Sequence, residues 1–198
     1  MCQKIGITGG SGSGKGYICA ILTEMGFPCI DTDRVVHNLY SQNTECQNEL
    51  RSEFGDGIFE NGVLVRARLA RIVFSDPKKL AALNLIVHKY VIMECDRICN
   101  VLFSQGNTAV FIDAPQLYEA GMDKHLDAVI AVLAPRDIRI SRILMRDCIT
   151  ESQANSRLDN QHTDDFFMKN ADYVIQNANL SDDELKLQLK EIITKLGL

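Results

Sequence analysis

The residues best suited to chemistry lie near the N-terminus, in the stretch GGSGSGKG at positions 9–16. Its glycines and Lys15 match the spacing G-x-x-x-x-G-K of a phosphate-binding loop. In such a loop, backbone N–H groups converge on one anion, the following helix adds its dipole, and the lysine adds a positive charge. Gly16 stands where the pattern places a serine or threonine, whose hydroxyl binds magnesium. The stretch therefore predicts a polyphosphate site that lacks one metal-binding hydroxyl, rather than a flexible turn with a chance lysine.

Aspartates after two further apolar runs could assist phosphoryl transfer. Asp31 and Asp33 follow one run, and Asp113 ends another. A carboxylate at Asp33 could orient and deprotonate an acceptor hydroxyl, with Asp31 bonded to backbone. A carboxylate at Asp113 could steer magnesium directly or through water. The alternative is that these are turn residues, because aspartate is common after strands, but we favour a functional Asp33 and Asp113.

Five arginines and no lysine occur between Ala134 and Arg157. On a helix, Arg139, Arg142 and Arg146 share one face. Guanidinium groups stay charged and bind two phosphate oxygens at once. A solvated surface is the usual explanation of such a stripe, but beside a phosphate loop we interpret it as a lid that closes arginines onto the transferred phosphate.

The elements that must position these residues alternate between strands and helices. Apolar runs predict five strands, at 4–8, 27–30, 108–112, 128–133 and 173–175. Helical periodicity follows the glycine loop, continues from Arg34 to about Ser104, and returns after a capping box at 181–184. Alternation implies a parallel sheet with helices on both faces. We therefore expect a three-layer α/β fold whose strand ends bring the loop and the aspartates into one crevice.

Composition and charge exclude several classes of protein. A chain of 198 residues with 46% hydrophobic content suits one globular domain with an inserted subdomain. The net charge of −5 argues against a protein that coats nucleic acid. Seven cysteines scattered through apolar stretches favour reduced thiols in the cytoplasm over a disulfide framework. No apolar run reaches the roughly 20 residues of a membrane span, and the N-terminus is not typical of a signal peptide.

Six segments along the chain resemble the dephospho-CoA kinase family, nearly from end to end. They are GITGGSGSGKG at 6–16, DTD at 31–33, DAPQLYEAG at 113–121, RILMRD at 142–147, RLDNQ at 157–161 and ADYVIQN at 171–177. The phosphate loop alone indicates only a superfamily. The segments from position 113 onwards are much more specific.

The resemblance implies a reaction and a domain organisation. The γ-phosphate of ATP would pass to the ribose 3′-hydroxyl of dephospho-CoA, with Mg²⁺ accompanying ATP. A five-stranded phosphate-loop kinase core would comprise 1–33 and 105–198, with a lid at about 135–163. Residues 34–104 would form an inserted helical subdomain that binds the acceptor. The partners would be these two small molecules, without nucleic acid or membrane, and the sequence assigns no oligomeric state.

The same resemblance assigns roles to individual residues. Asp33 looks like the base for the ribose hydroxyl, Lys15 like the phosphate clamp, and Arg142 and Arg146 like lid arginines. Asp113 joins Asp33 as a substrate contact and, through water, as a metal contact. ATP would be bound by nine residues: Gly10, Ser11, Gly12, Ser13, Gly14, Lys15, Gly16, Tyr17 and, near the adenine, Asn177.

Four residues, at three places in the chain, depart from the family pattern. Gly16 and Tyr17 stand where Ser-Thr is usual, Lys89 where proline is typical after His88, and Phe167 where a lid lysine is usual. Loss of one oxygen near the metal would cost about 1.5–3 kcal/mol, by analogy with hydrogen bonds to charged groups. Such a loss slows an enzyme rather than abolishing its activity.

Two other functions stay open on sequence grounds. A kinase of another small hydroxyl substrate, such as a nucleoside monophosphate or a shikimate-like acid, is disfavoured by the long helical insertion. A non-catalytic nucleotide-binding paralogue that senses ATP or a CoA precursor is favoured by Gly16, but a pure binder has no need of a base at Asp33. A GTPase is disfavoured because no N-K-x-D stretch occurs.

Overall fold

The computed structural model describes residues 2–178 and 180–198. The chain divides into two compact units. One consists of the chain up to Ile30 together with Val101–Leu198, and the other is Asp31–Asn100. The first unit contains the phosphate loop and the arginine-rich segment, so most of the predicted site residues belong to it.

Strands in the described residues form a large sheet and a small hairpin. They are β1 (Gln3–Thr8), β2 (Cys29–Asp31), β3 (Phe59–Glu60), β4 (Val63–Leu64), β5 (Ala109–Asp113), β6 (Ala128–Leu133) and β7 (Tyr173–Gln176). The large sheet has the order β2-β5-β1-β6-β7. Its central strand, β1, pairs in parallel with β5 and β6, with Ile7 opposite Asp113 and Thr8 opposite Ala131. The predicted five-stranded parallel sheet is therefore confirmed.

Helices connect and cover these strands. They are α1 (Lys15–Glu24), α2 (Thr32–Gln42), α3 (Thr44–Phe54), α4 (Arg66–Phe74), α5 (Pro77–Ser104), α6 (Arg136–Asp147), α7 (Glu151–Asp159), α8 (Asp164–Asn170) and α9 (Asp182–Lys195). Single 3₁₀ turns lie at Asp56–Ile58 and Met122–His125. The predicted capping box at the start of α9 is present, because the Ser181 hydroxyl accepts from the Glu184 N–H and the Glu184 carboxylate accepts from the Ser181 N–H.

The core explains why β6 is a continuous apolar run. Ile130 and Val132 pack with buried residues of α1 and α9, whereas Ala131 and Leu133 pack with Phe167 of α8. Alternate side chains of a strand point to opposite faces, so both faces of the sheet are covered. Each such fully buried aliphatic side chain contributes about 1.5–3 kcal/mol. This arrangement confirms the three-layer α/β fold.

The segment from Arg34 to about Ser104, predicted as an insertion of helices, also contains a β-hairpin near its centre. β3 and β4 pair antiparallel, with Phe59 opposite Leu64, and the turn between them is Asn61 and Gly62. Both turn residues have positive φ, 50° and 80°. Asn-Gly is the strongest short-range hairpin signal, because both residues tolerate this conformation. The prediction missed it because the helical periodicity on either side was stronger.

Two smaller findings concern the same stretch and the second strand. The Asp76 carboxylate accepts a hydrogen bond from the Lys78 N–H at 2.9 Å, directly before the start of α5 at Pro77. The second strand begins at Cys29, two residues later than predicted; the Pro28 carbonyl still accepts from the Phe111 N–H at 2.9 Å.

Among the helices of the described ranges, none combines the length and apolar character that crossing a bilayer requires.

Candidate phosphate-binding site

The phosphate loop connects the end of β1 to the start of α1. Within the loop, the Ser13 N–H donates to the Gly10 carbonyl at 3.2 Å, and Gly14 caps α1 in a left-handed conformation with φ 97°. The N–H groups in the first turn of an α-helix have no acceptor within the helix. They and the helix dipole provide the usual binding surface for a phosphate. The loop therefore has the local geometry that the spacing of its glycines predicts.

Gly12 shows how closely α6 approaches the loop. Its φ is +77°, and a Cβ added there would lie 2.6 Å from the Arg139 carbonyl oxygen and 2.9 Å from the Arg139 Cα. The colliding atoms are backbone, which cannot rotate away. Only glycine fits at this position, so the arginine-rich helix and the loop are packed backbone to backbone.

Lys15 folds over the start of the loop. Its Nζ donates to the Gly9 carbonyl at 2.7 Å and lies 3.4 Å from the Gly10 carbonyl. These contacts hold the ammonium group at the loop, where the resemblance to kinases places the phosphate clamp.

Arg142 and Asn177 hold the other half of the loop. Arg142 Nη1 donates to the carbonyls of Gly12 and Ser13 at 3.2 and 3.1 Å, and Nη2 donates to the Asn177 carbonyl at 3.3 Å. The buried Asn177 side chain donates to the Ser13 carbonyl at 2.8 Å. Asn177 follows β7, and its N–H donates to Leu133 of β6. The structure thus brings Arg142 and Asn177 together at Ser13, and a contact of Asn177 with adenine stays a prediction.

Arg146 is not brought to the loop. Its guanidinium donates to the Asp147 carboxylate at 2.7 and 3.0 Å, and 62% of its side chain is exposed. Arg157 binds the same carboxylate, and the hydrogen bonds from Arg146 and Arg157 lower the pKa of Asp147. The arginines that share a face by periodicity therefore divide into two groups: Arg139 and Arg142 contact the loop, and Arg146 contacts its neighbour.

Asp113 lies at the sheet edge from which the loop emerges. It ends β5, directly beside Ile7 of β1, and the next residue, Ala114, donates its N–H to the Ile7 carbonyl at 3.0 Å. Because the two strands are parallel, Asp113 and the loop follow the carboxyl ends of adjacent strands. A role for Asp113 towards metal or substrate stays a prediction.

Asp31 and Asp33 have separate roles within the second unit. The Asp31 carboxylate caps α2, accepting from the N–H groups of Asp33 and Arg34 at 2.9 and 3.2 Å. Asp33 lies in the first turn of α2, and its exposed carboxylate accepts no hydrogen bond from another residue of the described ranges. Asp33 is therefore the aspartate of the pair whose side chain is available for chemistry.

Gly16 and Tyr17, the two departures in the loop, are both exposed in the first turn of α1. A Cβ added at Gly16 would meet no atom within 4 Å. The Tyr17 hydroxyl donates to the Asp182 carboxylate, and this hydrogen bond raises the pKa of Tyr17. Gly16 therefore leaves open space beside the loop, and Tyr17 links α1 to the start of α9.

The two other departures, Phe167 and Lys89, have partners away from the loop. Phe167 is buried against β6, so it serves the core rather than a ligand. Lys89 forms an ion pair with Glu49 within the second unit. In the described part of the chain, no three His, Cys, Asp or Glu side chains form a group that could hold a metal ion.

Two contacts to the loop were not predicted from the sequence, one from Gln161 and one from Arg139. Gln161 accepts a hydrogen bond from the Ser11 N–H at 2.8 Å, and Arg139 donates to the Ser11 carbonyl at 2.9 Å. Arg139 was visible as part of the arginine stripe, whereas Gln161 carries no chemical signal of its own. Only folding brings the two side chains to the same loop residue.

Comparison with known proteins connects this geometry to one family. A family model described as dephospho-CoA kinase matches residues 3–183. A dephospho-CoA kinase of Geobacillus kaustophilus (strain HTA426) is 34% identical over 194 residues, which cover 98% of this chain and 96% of that protein.

Solved structures agree with this match. The crystal structure of TT1252 from Thermus thermophilus is 31% identical and superposes with a TM-score of 0.80 over 98% of both chains. A dephospho-CoA kinase from Campylobacter jejuni, at 23% identity, has the same fold with a TM-score of 0.70 over 99% of this chain and 98% of that one. The family resemblance predicted from the sequence is confirmed.

Proposed function

Given that this chain belongs to the dephospho-CoA kinase family, we propose that it transfers the γ-phosphate of ATP to the ribose 3′-hydroxyl of dephospho-CoA, giving CoA and ADP. The observation that carries the proposal is the phosphate loop itself. Its backbone is held by Arg142 and Asn177, and Lys15 lies over its first residues. Phosphoryl transfer depends mainly on positioning and on electrostatic stabilisation, and a firmly held loop supplies both.

ATP would bind with its phosphates against the loop residues from Gly10 to Tyr17. The backbone N–H groups and Lys15 would compensate the negative charge of the phosphates. Arg142 acts on this step through the loop, because its hydrogen bonds end on the carbonyls of Gly12 and Ser13. Asn177 acts in the same way through Ser13.

Mg²⁺ is the metal we infer to accompany ATP. The described residues contain no ready-made cluster of ligands, so the ion would be held largely by ATP phosphates, with Asp113 and Asp33 contributing through water. When bound, the ion neutralises charge that develops on the phosphate oxygens. The exposed, open space at Gly16 has room for a water molecule in the position of the missing hydroxyl.

Asp33 is the residue we infer to accept the proton of the ribose hydroxyl. Its carboxylate is exposed and is not used for capping α2, because Asp31 caps that helix. General-base catalysis of this kind typically contributes about 10²–10⁴-fold to a rate. Arg142 and Arg146 belong to the segment at about 135–163 that we infer to be a lid. Arg142 is held at the loop, so the exposed Arg146 is the one of the two that would change partners as the lid closes.

The acceptor distinguishes this proposal from a kinase of a small substrate. The second unit, Asp31–Asn100, is an all-helical addition apart from its short hairpin, and we infer that it binds dephospho-CoA.

The described cysteines are free thiols, which supports a cytoplasmic location.

The decisive experiment measures CoA by mass after incubation of the purified protein with ATP, Mg²⁺ and dephospho-CoA. AMP, adenosine and shikimate serve as competing acceptors, and we expect dephospho-CoA to be phosphorylated in preference to all three. Binding of ATP without formation of CoA would instead identify a nucleotide-binding paralogue.

The base is tested by Asp33→Asn, which removes the proton acceptor. We expect kcat to fall by about 10²-fold or more, with ATP affinity unchanged. Asp56→Asn is the matched control, because Asp56 is in the same unit and its side chain is 91% exposed. Equal kcat values for the two variants would exclude Asp33 as the base.

A further inference from the structure

Ser11, at the tip of the phosphate loop, is held by both of its backbone polar groups. Its N–H donates to Gln161 Oε1 at 2.8 Å, and its carbonyl accepts from Arg139 Nε at 2.9 Å. The two side chains come from different places in the chain, because Arg139 belongs to α6 and Gln161 lies between α7 and α8. The tip of the loop is therefore fixed from two directions.

Arg139 is the centre of this network. Its Nη1 donates to Asp164 at 3.2 Å, and its Nη2 donates to Gln161 Oε1 at 3.4 Å. Only 7% of the residue is exposed. A buried guanidinium needs several partners to offset the loss of water, and here all three of its nitrogens have one.

The guanidinium also packs against the loop backbone. A Cβ added at Gly10 would lie 2.0 Å from Arg139 Nη2, so glycine is required for the side chain to occupy this place. Burial lowers the pKa of Arg139, and the nearby Asp164 acts in the opposite direction. Arginine keeps its charge in proteins, so a permanent cation lies behind the loop tip.

We propose that Arg139 is a positioning residue for the phosphates of ATP. Arg139 holds Ser11 in place, so that the N–H groups of the loop converge on the anion. The inference rests on the proposed function and deepens it. The buried guanidinium directs Nε, Nη1 and Nη2 to Ser11, Asp164 and Gln161, so its action on phosphate would pass through Ser11. A loop fixed before ATP arrives loses less entropy on binding and presents its donors without rearrangement.

The same network joins the loop to the end of α7 and the start of α8. Gln161 accepts from both Ser11 and Arg139, so displacement of either helix end would be transmitted to the loop tip. A displacement of about 1 Å in a positioned group can cost about 10²-fold in rate. Because Arg139 contacts the loop where ATP would bind, we expect its loss to weaken the binding of ATP more than the binding of the acceptor.

The test compares Arg139→Met with Arg136→Met. Arg136 lies on the same helix but binds Asn155 and Asp159 rather than the loop. Isothermal titration with ATP and with inorganic triphosphate, without dephospho-CoA, gives the dissociation constants. We expect Arg139→Met to raise both by about tenfold to a hundredfold, since it removes hydrogen bonds from a charged group, and Arg136→Met to change neither by more than about twofold.

Steady-state kinetics and a conservative variant separate positioning from mere stability. Arg139→Met should raise KM for ATP while leaving KM for dephospho-CoA within about twofold, and Arg139→Lys should recover part of the ATP affinity because it keeps the charge but not the three-nitrogen fork. A lowered melting temperature with unchanged triphosphate binding would overturn the inference. Should Arg139→Met not fold, Gln161→Leu removes the other support of Ser11 and should weaken triphosphate binding; unchanged binding there would also overturn it.

The test of triphosphate binding and the test of CoA formation can fail separately. If the wild-type protein forms no CoA but Arg139→Met still weakens triphosphate binding, the proposed function fails and the inference stands. If the wild-type protein forms CoA and Arg139→Met binds triphosphate as tightly as wild type, the inference alone fails.

Discussion

Two glycines four positions apart, Gly12 and Gly16, lie in opposite environments within one short loop. At Gly12, the backbone of α6 occupies the space of a side chain, and the backbone has positive φ. At Gly16, a side chain would meet nothing within 4 Å, and the residue has ordinary helical backbone. The first glycine is required by packing, whereas the second is not.

The two glycines separate the part of the loop that would bind phosphate from the position where the pattern places a metal-binding hydroxyl. The backbone of the phosphate loop is held by hydrogen bonds from Lys15, Arg142 and Asn177. The departures within the loop, Gly16 and Tyr17, are both exposed, and only Gly16 lies where the pattern places a metal-binding hydroxyl. We therefore expect binding of phosphate to be preserved, and any loss to appear in the response to Mg²⁺.

The largest expected effect comes from filling the crowded position. Gly12→Ala places a Cβ against the Arg139 backbone and adds a side chain at φ +77°. We expect the free energy of unfolding to fall by about 2–4 kcal/mol, from the left-handed backbone and from overpacking, with ATP binding lost. Urea denaturation and calorimetric titration measure the two effects. Wild-type behaviour in both would show that α6 does not press on the loop.

The next effect separates the two arginines of the predicted lid. Arg142→Met removes hydrogen bonds to Gly12, Ser13 and Asn177, so KM for ATP should rise by about tenfold. Arg146→Met removes the bonds to Asp147 and should leave KM for ATP within about twofold. If Arg146 acts in the lid during transfer, the variant should lower kcat instead. Equal rises in KM for the two variants would contradict the division of the arginine face.

A smaller effect follows from restoring the missing hydroxyl. Gly16→Ser fits without a clash, and its oxygen would stand where the loop pattern places a metal ligand. Because a water molecule in the open space would already replace part of the hydroxyl's contribution, we expect ATP affinity to rise by only about tenfold with Mg²⁺ and to stay unchanged with EDTA. Titration of ATP under both conditions measures this difference, and the same affinity gain in EDTA would argue against a metal effect.

The smallest effect is on stability alone. Gly16→Ala should raise the free energy of unfolding by up to about 1 kcal/mol, because alanine is favoured over glycine within a helix. It should not change the response to Mg²⁺, since it adds no oxygen. Urea denaturation beside Gly12→Ala gives the contrast, and a loss of stability in both variants would contradict open space at Gly16.

Sequence reasoning predicted the central elements well where one physical signal dominated. β6 was predicted from its unbroken apolar run, because a strand covered on both faces has no polar side to show. The capping box of α9 was equally direct. The hairpin at Asn61 and Gly62 was missed although its turn signal was present, because two short strands produce little periodicity between long helices.

The site divides in the same way. The phosphate loop was readable because its function depends on glycine spacing along a continuous segment. Arg139, Arg142 and Arg146 looked equivalent by helical periodicity, yet Arg139 and Arg142 contact the loop and Arg146 does not. Periodicity gives the face of a helix but not which of its turns meets another element.

The sequence by itself determined that a strand, a glycine loop and a helix form an anion site in a covered parallel sheet, because these features depend on local spacing and polarity. The tertiary structure alone decided that Ser11 is held by Arg139 and Gln161. Those residues are more than a hundred positions from the loop. Contacts over such separations depend on how helices pack, and packing follows from the whole core rather than from any one segment.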